Sequence, residues 1–126
     1  MTQTAAILWY EPITEALQDE AEATGDGKVF ELGAKFASLA IQTSGSFSAT
    51  VKLEGSINGE DYHEIKGIDL NDGDGLTETG DTGVYVVPVV GIKRFKARIS
   101  AYSSGKVTVR AVASALPVPV IPEPSN

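Results

Sequence analysis

The segment Phe47-Ser48-Ala49-Thr50-Val51-Lys52-Leu53-Glu54 alternates apolar and polar residues without a break. Phe47, Ala49, Val51 and Leu53 fall on one face of an extended chain, and Ser48, Thr50, Lys52 and Glu54 on the other. A period of two describes a β-strand with one face in a core and one in water. Residues 94–102 repeat it, with Phe95, Ala97, Ile99 and Ala101 inward and Arg94, Lys96, Arg98 and Ser100 outward. Residues 106–113 repeat it again, with Val107, Val109, Ala111 and Ala113 inward. The short link Ser103-Ser104-Gly105 predicts that these last two strands form an antiparallel hairpin.

Working outward, residues 28–32 and 36–43 read as strands separated by Gly33, and Ser44-Gly45-Ser46 turns the chain into the Phe47 strand. Asn58-Gly59 marks a turn between residues 51–57 and 61–65. Residues 84–90 are β-branched, but Pro88 has no backbone donor and suggests an edge or a bulge. Residues 69–83, rich in Gly, Asp and Thr, read as a long exposed loop. Residues 11–24 fit two forms. Pro12 suits the first turn of a helix that Gly25 would end. A strand over residues 17–23 fits equally, though it would turn Asp19 inward.

The whole is an all-β chain, an antiparallel β-sandwich of jelly-roll type with seven or eight short strands. The expected organisation is an N-terminal arm over residues 1–14, the sandwich over 15–115 and a Pro-rich tail over 116–126. In that tail Pro117-Val118-Pro119-Val120-Ile121-Pro122 excludes helix and central strand, and predicts an extended polyproline-like chain. It reads either as a disordered terminus or as an arm laid on a neighbour.

A chain of 126 residues suits one domain with a two-layer core. Its lack of cysteine excludes disulfides, thiolate catalysis and cysteine zinc sites. The single histidine excludes a multi-histidine metal site in one chain. No apolar run reaches the roughly 20 residues of a membrane helix, and no basic residue precedes an apolar stretch at the N-terminus as in a secretory signal. The net charge of −7 argues against nucleic acid. Charge is also segregated. Residues 1–27 hold six acids and no base, residues 54–81 nine acids and Lys66, and residues 82–122 six bases and no acid. These blocks are expected to pair within the folded surface, or to match patches on neighbouring copies.

Chemistry is sparse. His63 lies among Asp61, Tyr62 and Glu64, and no serine has a nucleophile-elbow context, so no hydrolytic triad is indicated. Asp69, Asn71, Asp72 and Asp74 offer oxygen ligands for calcium, but Gly73 occupies the third ligand position of the EF-hand pattern, and a solvated acidic loop is the expectation. Lys96, Arg98, Lys106 and Arg110 are expected on one outward face of the hairpin, where they would meet an acidic patch on a neighbour. Trp9, Tyr10, Tyr62, Tyr85 and Tyr102 are the aromatics that could stack on a sugar. Trp9 and Tyr10 fit better as apolar anchors on a partner chain, as do Val118, Val120 and Ile121 in the tail.

Several phrases taken in order resemble a known group. They are Ala23-Thr24-Gly25-Asp26-Gly27, the Ser46–Ser56 phrase, Asn58-Gly59-Glu60-Asp61-Tyr62, Gly83-Val84-Tyr85, and the phrase from Lys96 to Val109. Over residues 15–115 the chain resembles small β-sandwich virion structural proteins of tailed bacteriophages and prophages, described as capsid decoration or head-fibre-like. That group often has tryptophan after the Asn-Gly turn, where this chain has Tyr62. The resemblance favours strand over helix for residues 17–23. It implies no catalytic residues and no cofactor, and a non-enzymatic role at the outer capsid surface, as a homotrimer contacting the major capsid protein or another virion protein. A tail or baseplate component and a carbohydrate-binding module recognising a surface glycan are the alternatives.

Overall fold

The computed structural model describes residues 11–115, and the account below concerns those. It is all-β, with eleven strands in two antiparallel sheets. They are β1 (Ile13–Ala21), β2 (Phe30–Glu31), β3 (Ser38–Ser44), β4 (Phe47–Ser56), β5 (His63–Glu64), β6 (Gly67–Asp69), β7 (Gly75–Leu76), β8 (Glu78–Thr79), β9 (Gly83–Pro88), β10 (Arg94–Gly105) and β11 (Val107–Ser114). One sheet has the order β1-β11-β3-β9-β6-β7, the other β2-β10-β4-β5, with β8 also paired to β4. The count exceeds seven or eight because β2, β5, β7 and β8 are two-residue pairings, too short to show an alternating pattern.

The core lies between the sheets, where the alternation places it. Val51 and Leu53 from β4, Phe95, Ala97 and Ile99 from β10, and Val107, Val109, Ala111 and Ala113 from β11 are all buried. Leu39, Ile41, Val87 and Val89 close the layer from the other sheet and its margin. Ala101, expected inward, is exposed. The β10 register skips Ser100, since Ile99 pairs with Val51 and Ala101 with Thr50. That bulge reverses the parity, and Tyr102 packs against the core in place of Ala101.

The expected hairpin of the last two strands does not form. β10 pairs with β4 and β2, and β11 pairs with β1 and β3 in the opposite sheet. Ser103, Ser104 and Gly105 continue β10, and the chain then arches across the core. The link after β3 does the same, carrying the chain from one sheet into β4 of the other. Both arches turn on a glycine in the left-handed region, Gly45 at φ 109° and Gly105 at φ 88°. They sit against each other, and the Lys106 N–H donates to the Ser46 carbonyl at 3.1 Å. A Ser-Gly link of this length fits either connection, so the residues alone could not choose. Two strands with equally apolar inner faces gain more by facing each other across the core than by lying side by side.

Residues 13–21 are strand, not helix. β1 is the outermost strand, and its pairing with β11 shifts register between Ala16 and Gln18 and again between Gln18 and Ala21. The shifts bury both Leu17 and Gln18 and leave Asp19 exposed, so no carboxylate enters the core. Glu20 takes the positive φ of 47° that the second shift requires. The Gln18 amide is satisfied across the sandwich, with Nε2 donating to the Ala97 carbonyl at 2.8 Å and the Gly25 carbonyl at 3.2 Å.

Residues 69–83 are not one exposed loop, since they contain β7 and β8. Nor is β9 an edge, since it lies between β3 and β6. Pro88 is tolerated because pairing with β6 stops at Val86. Beyond that point the missing donor breaks no ladder.

The arches yield a prediction. A Cβ on Gly105 would run into the Ser46 carbonyl and lie 2.6 Å from Phe47 Cα, whereas Gly91, at φ 81°, has nothing within 4 Å. Gly105→Ala should cost at least about 2 kcal/mol, and Gly91→Ala about 1 kcal/mol from backbone conformation alone. Urea denaturation of both variants checks the order.

Candidate functional site

The two outer faces of the sandwich differ in kind. On the five-stranded sheet the register sets Lys96 opposite Glu54 and Arg98 opposite Lys52. Two cations directly opposite repel. The repulsion is relieved because Arg98 reaches diagonally to Glu54, with Nε on Oε1 and Nη2 on Oε2, both at 3.0 Å. Lys52 turns away to Glu64 at 3.2 Å and Glu78 at 3.9 Å. Lys96 lies between Asp26 at 3.3 Å and Glu54 at 3.9 Å, with its ammonium 4.2 Å from the centre of the Tyr62 ring. The fork-to-fork geometry is the strong form of such a pair. The Glu54 hydrogen bond raises the Arg98 guanidinium above its ordinary pKa, against the opposing effect of burial. Arg94 pairs with Glu31 at 3.0 Å and donates through Nη1 to the Gly59 carbonyl at 3.1 Å. Acids from the two acidic blocks thus meet bases from the basic block within one chain.

Lys96, Arg98, Lys106 and Arg110 do not share a face. Lys96 and Arg98 belong to the five-stranded network, Lys106 stands beside an arch with Glu22 at 3.9 Å, and Arg110 lies on β11 in the other sheet. The expectation of one basic patch rested on the hairpin, and the arch removes it.

The acidic loop builds its own turns. Asp69 Oδ1 accepts the Asn71 N–H at 2.8 Å and Asp72 Oδ1 accepts the Asp74 N–H at 2.9 Å. Among the described residues no group of three or more His, Cys, Asp or Glu side chains gathers in a geometry for a metal ion. Tyr85 is buried, and its hydroxyl lies 2.8 Å from Thr79 Oγ1 and 3.2 Å from the Asp81 carbonyl, so it cannot be a stacking platform. The Tyr102 hydroxyl donates to the Gly105 carbonyl at 2.7 Å and braces the arch. His63 lines an open cleft of about 390 Å³ with Ile57, Asn58, Ile65 and Ile92. Asn58 Oδ1 is committed there to the N–H groups of Glu60 and Asp61 and the Ser56 hydroxyl.

The outer face of the six-stranded sheet was missed by the sequence reading. Between the buried positions of β11, β3, β9 and β6, the outward set includes Val112, Ala40, Val84, Val86 and Ile68, and Arg110 is its single charge. Val84 is 41% exposed, Ile68 43% and Val112 37%. A shallow groove of about 130 Å³ runs between Ala40, Gln42, Val84, Arg110 and Val112. The available signal was the poverty of charge at the outward positions of residues 38–44 and 84–88. β1 and β11 are neighbours, with Ile13 opposite Ala113, so both terminal segments leave from one end of this sheet. Trp9, Tyr10, Val118, Val120 and Ile121 lie outside the described residues.

A family model described as XepA matches residues 12–113. The SPBc2 prophage-derived protein YomS has a similar crystal structure, with a TM-score of 0.77 at 20% identity over 87% of this chain and 98% of YomS. The PBSX exported protein XepA is similar with a TM-score of 0.78 at 18% identity over 82% of this chain. This chain spans 37% of XepA's length. Comparison with curated proteins returns no match. At these identities the two structures speak to the fold.

Two predictions follow from the charge layout. Glu54 retains 11% side-chain exposure against 33% for Arg98. Discounted for that exposure, Arg98→Ala should cost roughly 1–3 kcal/mol, and Arg110→Ala should lie within about 0.5 kcal/mol of the parent. Urea midpoints at constant slope measure both. The melting temperature should be the same in millimolar calcium and in chelator, because the Asp69 and Asp72 carboxylates hold their own backbone.

Proposed function

The chain belongs to the XepA family, and from that premise we propose that it is a non-enzymatic structural protein of a phage particle, a decoration protein on the outer capsid surface. The observation that carries the proposal is the placing of the termini. β1 and β11 pair side by side, so the apolar segments containing Trp9 and Tyr10 at one end and Val118, Val120 and Ile121 at the other start from a common point. Two arms starting together can engage one neighbour, and a homotrimer presents three such pairs. Many weak contacts repeated by symmetry then give firm attachment without a deep pocket. The partner is the major capsid protein or another virion protein.

The charged face is consistent with this role. Its acids and bases are largely paired within the chain, which leaves attachment to apolar arms. The names of the two solved relatives, one prophage-derived and one an exported protein, support a phage setting for the family fold.

Quantitative mass spectrometry of purified particles, counting this chain against the major capsid protein, tests the proposal. Copy numbers in the hundreds are expected. A handful would place the chain in the tail or baseplate. Complete absence would overturn the virion role and turn attention to a glycan partner, with Tyr62→Ala as the probe. Deleting residues 1–10 should weaken particle binding, and unchanged binding would remove Trp9 and Tyr10 as anchors.

A further inference from the structure

We propose that the outer face of the six-stranded sheet is a docking surface for the Pro-rich arm, residues 116–122, of a second copy of this chain. The inference rests on the self-association in the proposed function and not on the particle. It starts from the contrast between the two faces. The outer face of the five-stranded sheet is covered by paired charges. On β11, β3, β9 and β6 the outward positions hold no acid and one base, Arg110. An apolar segment laid there buries no carboxylate.

The arm matches that surface in chemistry and length. Residues 116–122 are Leu, Pro, Val and Ile only, and the first charge after Arg110 in the chain is Glu123. Seven residues of polyproline-like chain, six steps of about 3.1 Å each, reach about 19 Å. From β11 over β3 and β9 to β6 are three strand spacings, about 14 Å at about 4.8 Å each. Laid from β6 towards β11, the apolar run crosses the groove lined by Val112, Ala40 and Val84, and Glu123 arrives beside β11, the strand that carries Arg110.

The direction of that crossing selects a neighbour over the chain's own arm. β11, which carries Arg110, is also the strand from which the arm departs. Laid on its own face, the arm would run from β11 towards β6 and carry Glu123 away from Arg110. The arm of a neighbouring copy can enter at β6 and end at β11.

Because the chain lacks cysteine, introduced thiols report contacts cleanly. The full chain carrying Val84→Cys is mixed with a mass-tagged chain carrying Val118→Cys and oxidised. A disulfide-linked heterodimer should form at least about ten-fold more than with Ser48→Cys, placed on the other sheet, in place of Val84→Cys, since docking raises the local thiol concentration. In parallel, Arg110→Glu and Glu123→Arg should each weaken self-association by roughly ten-fold in sedimentation, and the two together should restore it. Equal yields from positions 84 and 48, no heterodimer, or only an intrachain bond in the Val84→Cys, Val118→Cys double variant would overturn the inference. Particle copy number is a separate readout, so arm exchange can fail while the virion role stands.

Discussion

Two glycine arches stand against each other at one end of the sandwich, and their contact determines which sheet each long strand joins. Gly45 and Gly105 both take positive φ, and each Cβ would strike the backbone of the other link. With the arches in place, β3 and β11 share one sheet while β4 and β10 share the other. The inner faces of four strands then oppose each other in pairs, and the core of Leu39, Ile41, Val51, Leu53, Ile99 and Val109 follows. A hairpin at either link would place facing strands side by side and leave one layer uncovered.

The same choice divides the charge. The basic block enters both sheets, but its densest part, Arg94 to Arg98, falls on β10 beside the Glu54 end of β4. Acids from distant parts of the chain, Asp26, Glu31 and Glu64 among them, are drawn to that face by Lys96, Arg94 and Lys52. The opposite face is left with small and branched residues and Arg110. The asymmetry is thus a product of topology as much as of composition, and it gives the molecule a solvated side and a side suited to contact.

Much of the fold was legible in the residues. Strict alternation at Phe47–Leu53 and Phe95–Ile99 named the core because a period of two admits one burial pattern. What was not legible lay where a local signal fits two geometries. Ser103-Ser104-Gly105 suits a hairpin and an arch alike, and only the packing of Gly105 against Ser46 and Phe47 separates them. Asp19 looked misplaced in a strand because register shifts leave no mark in composition. The basic patch failed for the first reason, since its four members were joined by an assumed hairpin. Tyr85 carried no sign that Thr79 and the Asp81 carbonyl would enclose its hydroxyl. Val84, Ala40 and Val112 were passed over because an outward apolar residue attracts notice only when strand order brings several together.

The broken pairing of β1 has a consequence for how such a molecule behaves when crowded. An outermost strand with a straight, open edge is a template for a further strand, and thus for fibrillar assembly. Here the edge is kinked twice, at Gln18 and before Ala21, and it displays Asp19 and Glu20 where an incoming backbone would have to align. That edge is thereby a poor template for a further strand.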